Sequence, residues 1–211
     1  MPLKENSVSV PRTIRSQQIK DEIYTTAMEL LKEYGYEYIT VKNICKLANV
    51  STGSFYHYFK SKDDLMSNFF LEAYKKFSQE GKLTPSENII DNILQFFFLY
   101  SEFCQEQGLD FIRNFYTPFN KSMDMHNLCN TQGQFRLPSM SDAESYISEA
   151  QKNGILASTV SAQQLADDLC TIEKGCIYEW CVSDGSFNIR DLVERLLRNY
   201  LSSFLIPLQS D

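Results

Sequence analysis

The chain has 211 residues, 43% of them hydrophobic and 22% charged, with a formal charge of -7 at neutral pH. These proportions exclude a disordered chain, and the length suits a small domain plus a larger one or one extended helical body. Residues 1–62 hold nine Lys or Arg and six Asp or Glu (+3), and residues 63–211 hold eleven and twenty-one (-10), so the charge excludes nucleic acid only from the acidic part and leaves a basic end to hold it.

The N-terminus, MPLKENSVSVPRTIRSQQ, has no apolar core of signal-peptide length, and the longest aromatic-rich run, residues 96–100, is too short to span a bilayer. A cytoplasmic protein without a membrane partner is expected. Six cysteines (Cys45, Cys104, Cys129, Cys170, Cys176 and Cys181) form no C-x-x-C, and His126 makes no zinc-type spacing with them. Neither a metal nor another cofactor is expected, and most of the thiols should be small buried hydrophobes.

In chain order, residues 1–16 are polar, contain Pro2 and Pro11, and read as a flexible arm bearing Arg12 and Arg15. Ile19, Ile23, Ala27, Leu30, Leu31 and Tyr34 then recur at helical spacing up to a stop at Gly35. Thr40 stands where an N-cap is needed for a short second helix, lined on one side by Val41, Ile44, Cys45 and Ala48. Asn49 and Val50 make a turn, Ser51 caps a third helix, and Gly53 in its first turn leaves room for another molecule's backbone. On that helix Phe55 and Phe59, one turn apart, serve the core. Thr52, Ser54, Tyr56, His57 and Lys62 are left to point elsewhere, and their hydroxyls, imidazole and ammonium suit a polyanion.

Ser61 caps a fourth helix, predicted to run to about Gly81, with Asp63 and Asp64 favouring its dipole. Lys62 is anomalous there, because a cation in the first turn costs ~0.3 to 1 kcal/mol against the dipole. A phosphate docked at that end reverses the sign, so Lys62 reads as a phosphate ligand.

Beyond Pro85, Ile89, Ile90, Ile93, Leu94, Phe97 and Phe98 mark a long helix towards Gly108, followed by Phe111, Phe115, Tyr116 and Phe119. After an irregular stretch over 118–138, Ser141 or Asp142 can cap a helix ending near Gly154. Ser161 opens another through Leu165, Leu169, Ile172, Cys176 and Trp180, with a second stripe of Ala166, Cys170, Ile177 and Cys181. The last helix, predicted over 190–205, repeats apolar pairs that include Leu196 and Leu197, Tyr200 and Leu201, and Phe204 and Leu205. Its apolar face is wider than one packing partner requires. Two such terminal helices packed on their copies predict a homodimer, with Leu169, Cys176, Trp180, Leu196, Leu197, Tyr200 and Phe204 at the interface. Of the aromatic series, Phe97, Tyr100, Phe103, Phe111, Phe115 and Tyr116 are the candidates to line an apolar effector pocket, although most such rings serve a core.

The run I-x3-I-x3-A-x2-LL-x3-G over 19–35 and TVKNICKLANVSTGSFYHYFKSKDDL over 40–65 resemble the TetR-type bacterial transcriptional regulators over nearly the whole family signature. Beyond residue 80 only the general layout is similar. One departure is Cys45, where the family more often has alanine or another small residue.

The resemblance implies an all-α fold: an arm and three-helix helix-turn-helix DNA-binding domain over 1–62, then a helical effector-binding and dimerisation domain over 63–211. It implies a homodimer, not an enzyme, that represses transcription and leaves a palindromic operator on double-stranded DNA when a small-molecule effector enters the body. Carried over by position, Thr40 and Lys62 look like phosphate ligands, and Tyr56 and Tyr58 like further backbone contacts. Ser51, Thr52, Gly53, Ser54 and His57 look like groove-facing residues. Residues 51–59 contain no Arg, Asn or Gln, so readout should rest on hydroxyls, imidazole, thymine methyls and DNA shape. The alternatives are control by a protein partner or by thiol oxidation, and activation rather than repression. A Cys and His enzyme is disfavoured because only His57 and His126 exist and nothing orients the second.

Overall fold

The structure is a computed structural model that describes residues 12–81, 83–121 and 138–207. It is all-α: its regular elements among those residues are nine α-helices and one 3-10 turn, with no named strand. The helices are α1 (Arg12–Tyr34), α2 (Val41–Leu47), α3 (Thr52–Tyr58), α4 (Lys62–Glu80), α5 (Ile89–Gln107), α6 (Leu109–Phe115), α7 (Pro138–Lys152), α8 (Ala162–Val182) and α9 (Ile189–Ser202). The chain divides into two compact units, residues 1–66 and 67–211, and the division falls inside α4. No described helix is long and apolar enough to cross a membrane.

In the N-terminal unit, α1 packs on α2 and α2 on α3. Ile23, Ala27 and Leu31 from α1 meet Ile44 from α2 and Phe55 from α3 in a sealed core, closed by Phe59 and Leu65. The Tyr24 ring meets Phe59 edge-on at 5.1 Å. Gly35 ends α1 at φ 82°, a left-handed conformation that glycine adopts without steric cost. Arg12–Ser16 was expected in a flexible arm but belongs to α1, and Ser16 Oγ lies 3.0 Å from the Tyr58 hydroxyl. That tertiary bond gives the first turns of α1 a fixed partner. Residues 1–11 lie outside the described residues.

The second unit is organised around α5, which contacts α6, α7, α8 and α9. Most of α5 is buried, as its unbroken apolar run requires of a helix covered on several sides. α7 begins at Pro138, ahead of the expected Ser141 or Asp142, consistent with proline's preference for the first helical position. α9 ends at Ser202, short of the expected Leu205. There Ala157 N donates to Phe204 O (2.7 Å) and Ile206 N to Ile155 O (3.0 Å), so an extended pairing replaces the last turn. The irregular stretch expected over 118–138 is described only up to Lys121 and from Pro138, and His126 and Cys129 lie outside the described residues.

One side-chain expectation, that of the dimer surface, is corrected in this unit. Leu169, Cys176, Trp180 and Leu197 are buried within the subunit itself, so they cannot form the surface that meets a second copy. They face the core because α8 carries two apolar stripes and its own subunit covers both. Leu196, Tyr200 and Phe204 remain partly accessible, and Tyr178 (55% exposed) and Val182 (59%) are the large apolar side chains that α8 leaves in solvent. The pocket candidates also pack on one another or on their neighbours. Phe115 stacks on Phe70 at 4.3 Å, Phe103 meets Phe70 edge-on at 5.2 Å, Phe111 stacks on Phe115 at 6.1 Å, and the Tyr100 and Tyr116 hydroxyls lie 2.6 Å apart. Phe97 is buried with them. An open cleft of about 420 Å³ lies elsewhere, between α5 and α9, lined by Asp91, Phe98, Glu102, Arg190 and Arg198 among others and by none of the six candidates.

Candidate functional site

The turn between α2 and α3 sets the direction of α3. Asn49 takes φ 51°, a left-handed conformation for which asparagine is one of the few suited side chains. Val50 N then donates to Cys45 O at 3.0 Å. The buried Cys45 thiol lies 3.8 Å from Ser51 O, so it adds a weak bond to the turn that alanine there would lack.

Each helix of this region has a side-chain cap. Thr40 Oγ1 accepts from Asn43 N (3.1 Å), Ser51 Oγ from Ser54 N (3.0 Å) and Ser61 Oγ from Asp64 N (3.1 Å). Each cap satisfies an amide that the helix leaves without a partner. Asp64 Oδ2 in turn accepts from Lys60 N at 2.8 Å, and the two bonds fix the entry to α4.

α3 therefore shows two unlike faces over two turns. Phe55 is completely sealed and its neighbour Tyr56 is 56% exposed, although their rings touch edge-on at 5.5 Å. Ser51, Thr52, Gly53 and His57 are exposed and Ser54 half-buried, with its hydroxyl 2.8 Å from that of Ser51. A Cβ on Gly53 would meet nothing nearer than Ser51 Oγ at 3.7 Å, an ordinary contact. Internal packing therefore does not require glycine at that position.

Tyr58 is placed differently from Tyr56. It is half-buried and its hydroxyl is bonded to Ser16, so its phenol braces α1 against α3 rather than standing free on the exposed face. Lys62 opens α4 with its ammonium 4.5 Å from the centre of the Tyr36 ring. The Tyr36 hydroxyl in turn donates to Asp63. Burial first, and the bonded Asp63 second, push the Tyr36 phenol far above its ordinary value, so it stays a neutral donor. Tyr36 was not marked by the sequence pattern; the only hint was an aromatic directly after the Gly35 stop. Its ring offsets part of the dipole penalty on Lys62 and holds the ammonium in place. Thr40, Ser51, Thr52, Gly53, Ser54, Tyr56, His57 and Lys62 thus all belong to the capped segment of the N-terminal unit, with Thr40 exposed at the start of α2.

A capped helix, a tight turn and a second helix with one sealed and one polar face make a helix-turn-helix of the DNA-binding kind. Residues 23–68 match the family model described as bacterial regulatory proteins, tetR family. The likeness to that family covers this helix-turn-helix segment of the chain.

A relative described as the uncharacterized HTH-type transcriptional regulator YhgD of Bacillus subtilis (strain 168) is 30% identical over 92 residues, 43% of this chain and 48% of the relative. This alignment spans about half the length of that curated relative, and those to two others less. The fold resembles FadR from Bacillus subtilis in complex with stearoyl-CoA (TM-score 0.61, 17% identity, 87% of this chain and 98% of that one). It also resembles Thermus thermophilus FadR, a TetR family transcriptional repressor, in complex with lauroyl-CoA (TM-score 0.59, 18% identity, 91% and 98%). At such identities the likeness is one of fold.

Proposed function

We propose that this chain is a sequence-specific DNA-binding transcriptional regulator that acts as a homodimeric repressor and leaves a near-palindromic operator when a small molecule binds its second unit. The observation that carries the proposal is the split character of α3: a sealed Phe55 beside an exposed Tyr56, with Thr52, Gly53 and His57 accessible on the same short helix. Phosphate contacts from Thr40, Tyr56 and Lys62 position the protein, and Ser51, Thr52, Gly53, Ser54 and His57 meet the major groove. Tyr58 is assigned to bracing, because its hydroxyl is engaged with Ser16.

Two copies place two such helices on half-sites one helical turn apart, ~34 to 36 Å, or a multiple of it. The surface offered to the second copy consists of the apolar residues that α8 and α9 leave accessible, among them Tyr178, Val182 and Leu196. The bound acyl-CoA of the two FadR structures supports an effector with a long apolar part, and the aromatic interior of the second unit is the region suited to one.

Control by thiol oxidation has less support. Cys176 and Cys181 are buried, and burial pushes both thiols up to about 11, so little of either is the thiolate that oxidants attack.

The test is binding of full-length protein to duplexes selected from a random pool, followed by salt titration of wild type and Lys62→Ala. Lys62→Ala removes one phosphate contact from each of the two copies, which flattens the slope of log affinity against log salt by about 1.8, at ~0.9 per contact. An unaltered slope removes the role given to Lys62, and selection of no duplex removes the function.

A further inference from the structure

The interior of the second unit contains a polar cluster that neither DNA binding nor dimerisation uses. Glu173 lies in the middle of α8 at 2% exposure, and its Oε1 has no hydrogen-bond partner among the described residues. Close enough to feel its charge are Tyr100 and Cys104 of α5 and Tyr116 just after α6. The Tyr100 and Tyr116 hydroxyls bond to each other at 2.6 Å, and neither is a hydrogen-bond partner of Glu173 Oε1. Thr117 Oγ1, one residue beyond, is likewise shut off from solvent without a partner.

Such an arrangement destabilises the empty protein. A buried polar atom left unsatisfied costs ~1 to 3 kcal/mol, more when charged, and most buried polar groups avoid that cost. Here the carboxyl sits among aromatic rings. Desolvation raises it well above its ordinary range, and no cation among the described residues opposes that rise. What the cluster lacks is a hydrogen-bond donor carrying positive charge.

We infer that Glu173 is the polar anchor of the effector site in the second unit, and that its ligand is an apolar amine whose protonated nitrogen donates to the Glu173 carboxylate while its hydrocarbon part lies against the surrounding aromatic residues. This rests on the reading of the chain as a ligand-responsive regulator and narrows it to a chemical class. An ammonium satisfies both the open acceptor and the missing charge. A neutral alcohol satisfies only the first, and a carboxylate brings a second negative charge beside Glu173.

Trp180, the chain's single tryptophan, lies two turns along α8 from Glu173 and reports on the site by its fluorescence. Full-length wild type, Glu173→Gln and Glu173→Leu are titrated with phenylbutylamine, phenylbutanol, phenylbutyrate and stearoyl-CoA. Trp180 emission and release of a selected duplex are followed together. The expected result is that the amine binds wild type at least tenfold more tightly than the alcohol or the acid and releases the duplex. Glu173→Gln should weaken the amine on the order of 100-fold, as removal of one partner of a buried ion pair does, and leave the alcohol unchanged.

Equal binding of amine and alcohol by wild type overturns the anchor whether or not the variants fold, as does amine binding that survives Glu173→Gln. Release by stearoyl-CoA alone, unaffected at residue 173, also overturns it and leaves the regulator reading intact. A duplex that none of the four compounds releases counts against both.

Discussion

The two units of this chain handle polar groups in opposite ways. In the N-terminal unit polar side chains are either caps with a matched amide, as at Thr40, Ser51 and Ser61, or exposed on one face of α3, as at Thr52, Tyr56 and His57. In the second unit the telling groups are inside: Glu173, the Tyr100 and Tyr116 pair, and four buried cysteines. A surface that meets a polyanion keeps its groups hydrated until contact and bears no desolvation cost in the free state. A site that encloses a small molecule must keep its polar groups dry in advance, and that lowers the stability of the empty protein. On the proposed reading, DNA recognition lies on the outside of one unit and effector recognition within the other.

The strongest way to break this comparison is Phe55→Ala. The substitution leaves a cavity in the core of a small unit and should cost about 3–5 kcal/mol there. Helicity followed during denaturation should show early loss of the N-terminal unit, while Trp180 emission reports a near wild-type transition for the second. A single merged transition, shifted as a whole, would show that the units do not unfold separately.

Glu173 sharpens the other side. Burial raises its carboxyl above the ordinary 4.5, so above that pH the folded state retains a proton that the unfolded chain has lost. The contribution of this group to stability therefore falls as pH rises from about 4.5 towards the raised value. Glu173→Gln should match wild type near pH 4 and melt a few degrees higher near pH 8, since each kcal/mol is worth roughly 2–4 °C in a chain of this size. A difference independent of pH would mean that Glu173 is ionised in the fold.

The smallest effect, Gly53→Ala, has opposite signs in its two readouts. The free protein should gain about 0.5–1 kcal/mol, because the added Cβ fits and alanine favours helix. DNA affinity should fall, because the methyl occupies the space of an approaching backbone. Affinity that rises with stability would place Gly53 outside the contact.

Much of the N-terminal unit was legible in the order of residues. Its caps, the turn at Asn49 and the spacing of Phe55 and Phe59 are local features, set by neighbours within four residues, and sequence periodicity reports such features directly. Tyr36 beneath Lys62 and Ser16 against Tyr58 were not legible, because those partners lie 26 and 42 residues apart in the chain and meet only after the helices pack.

In the second unit apolar periodicity marked α5, α7, α8 and α9 as helices but not α6, and put apolar stripes on two sides of α8. Which apolar face of α8 and α9 turns inward, and that Phe103 and Phe115 fill the core with Phe70, was decided by tertiary packing, because an apolar stripe is the same in sequence whether it meets its own subunit or another. The isolation of Glu173 was decided there as well: a missing hydrogen bond is a property of the space around an atom, and no residue pattern encodes it.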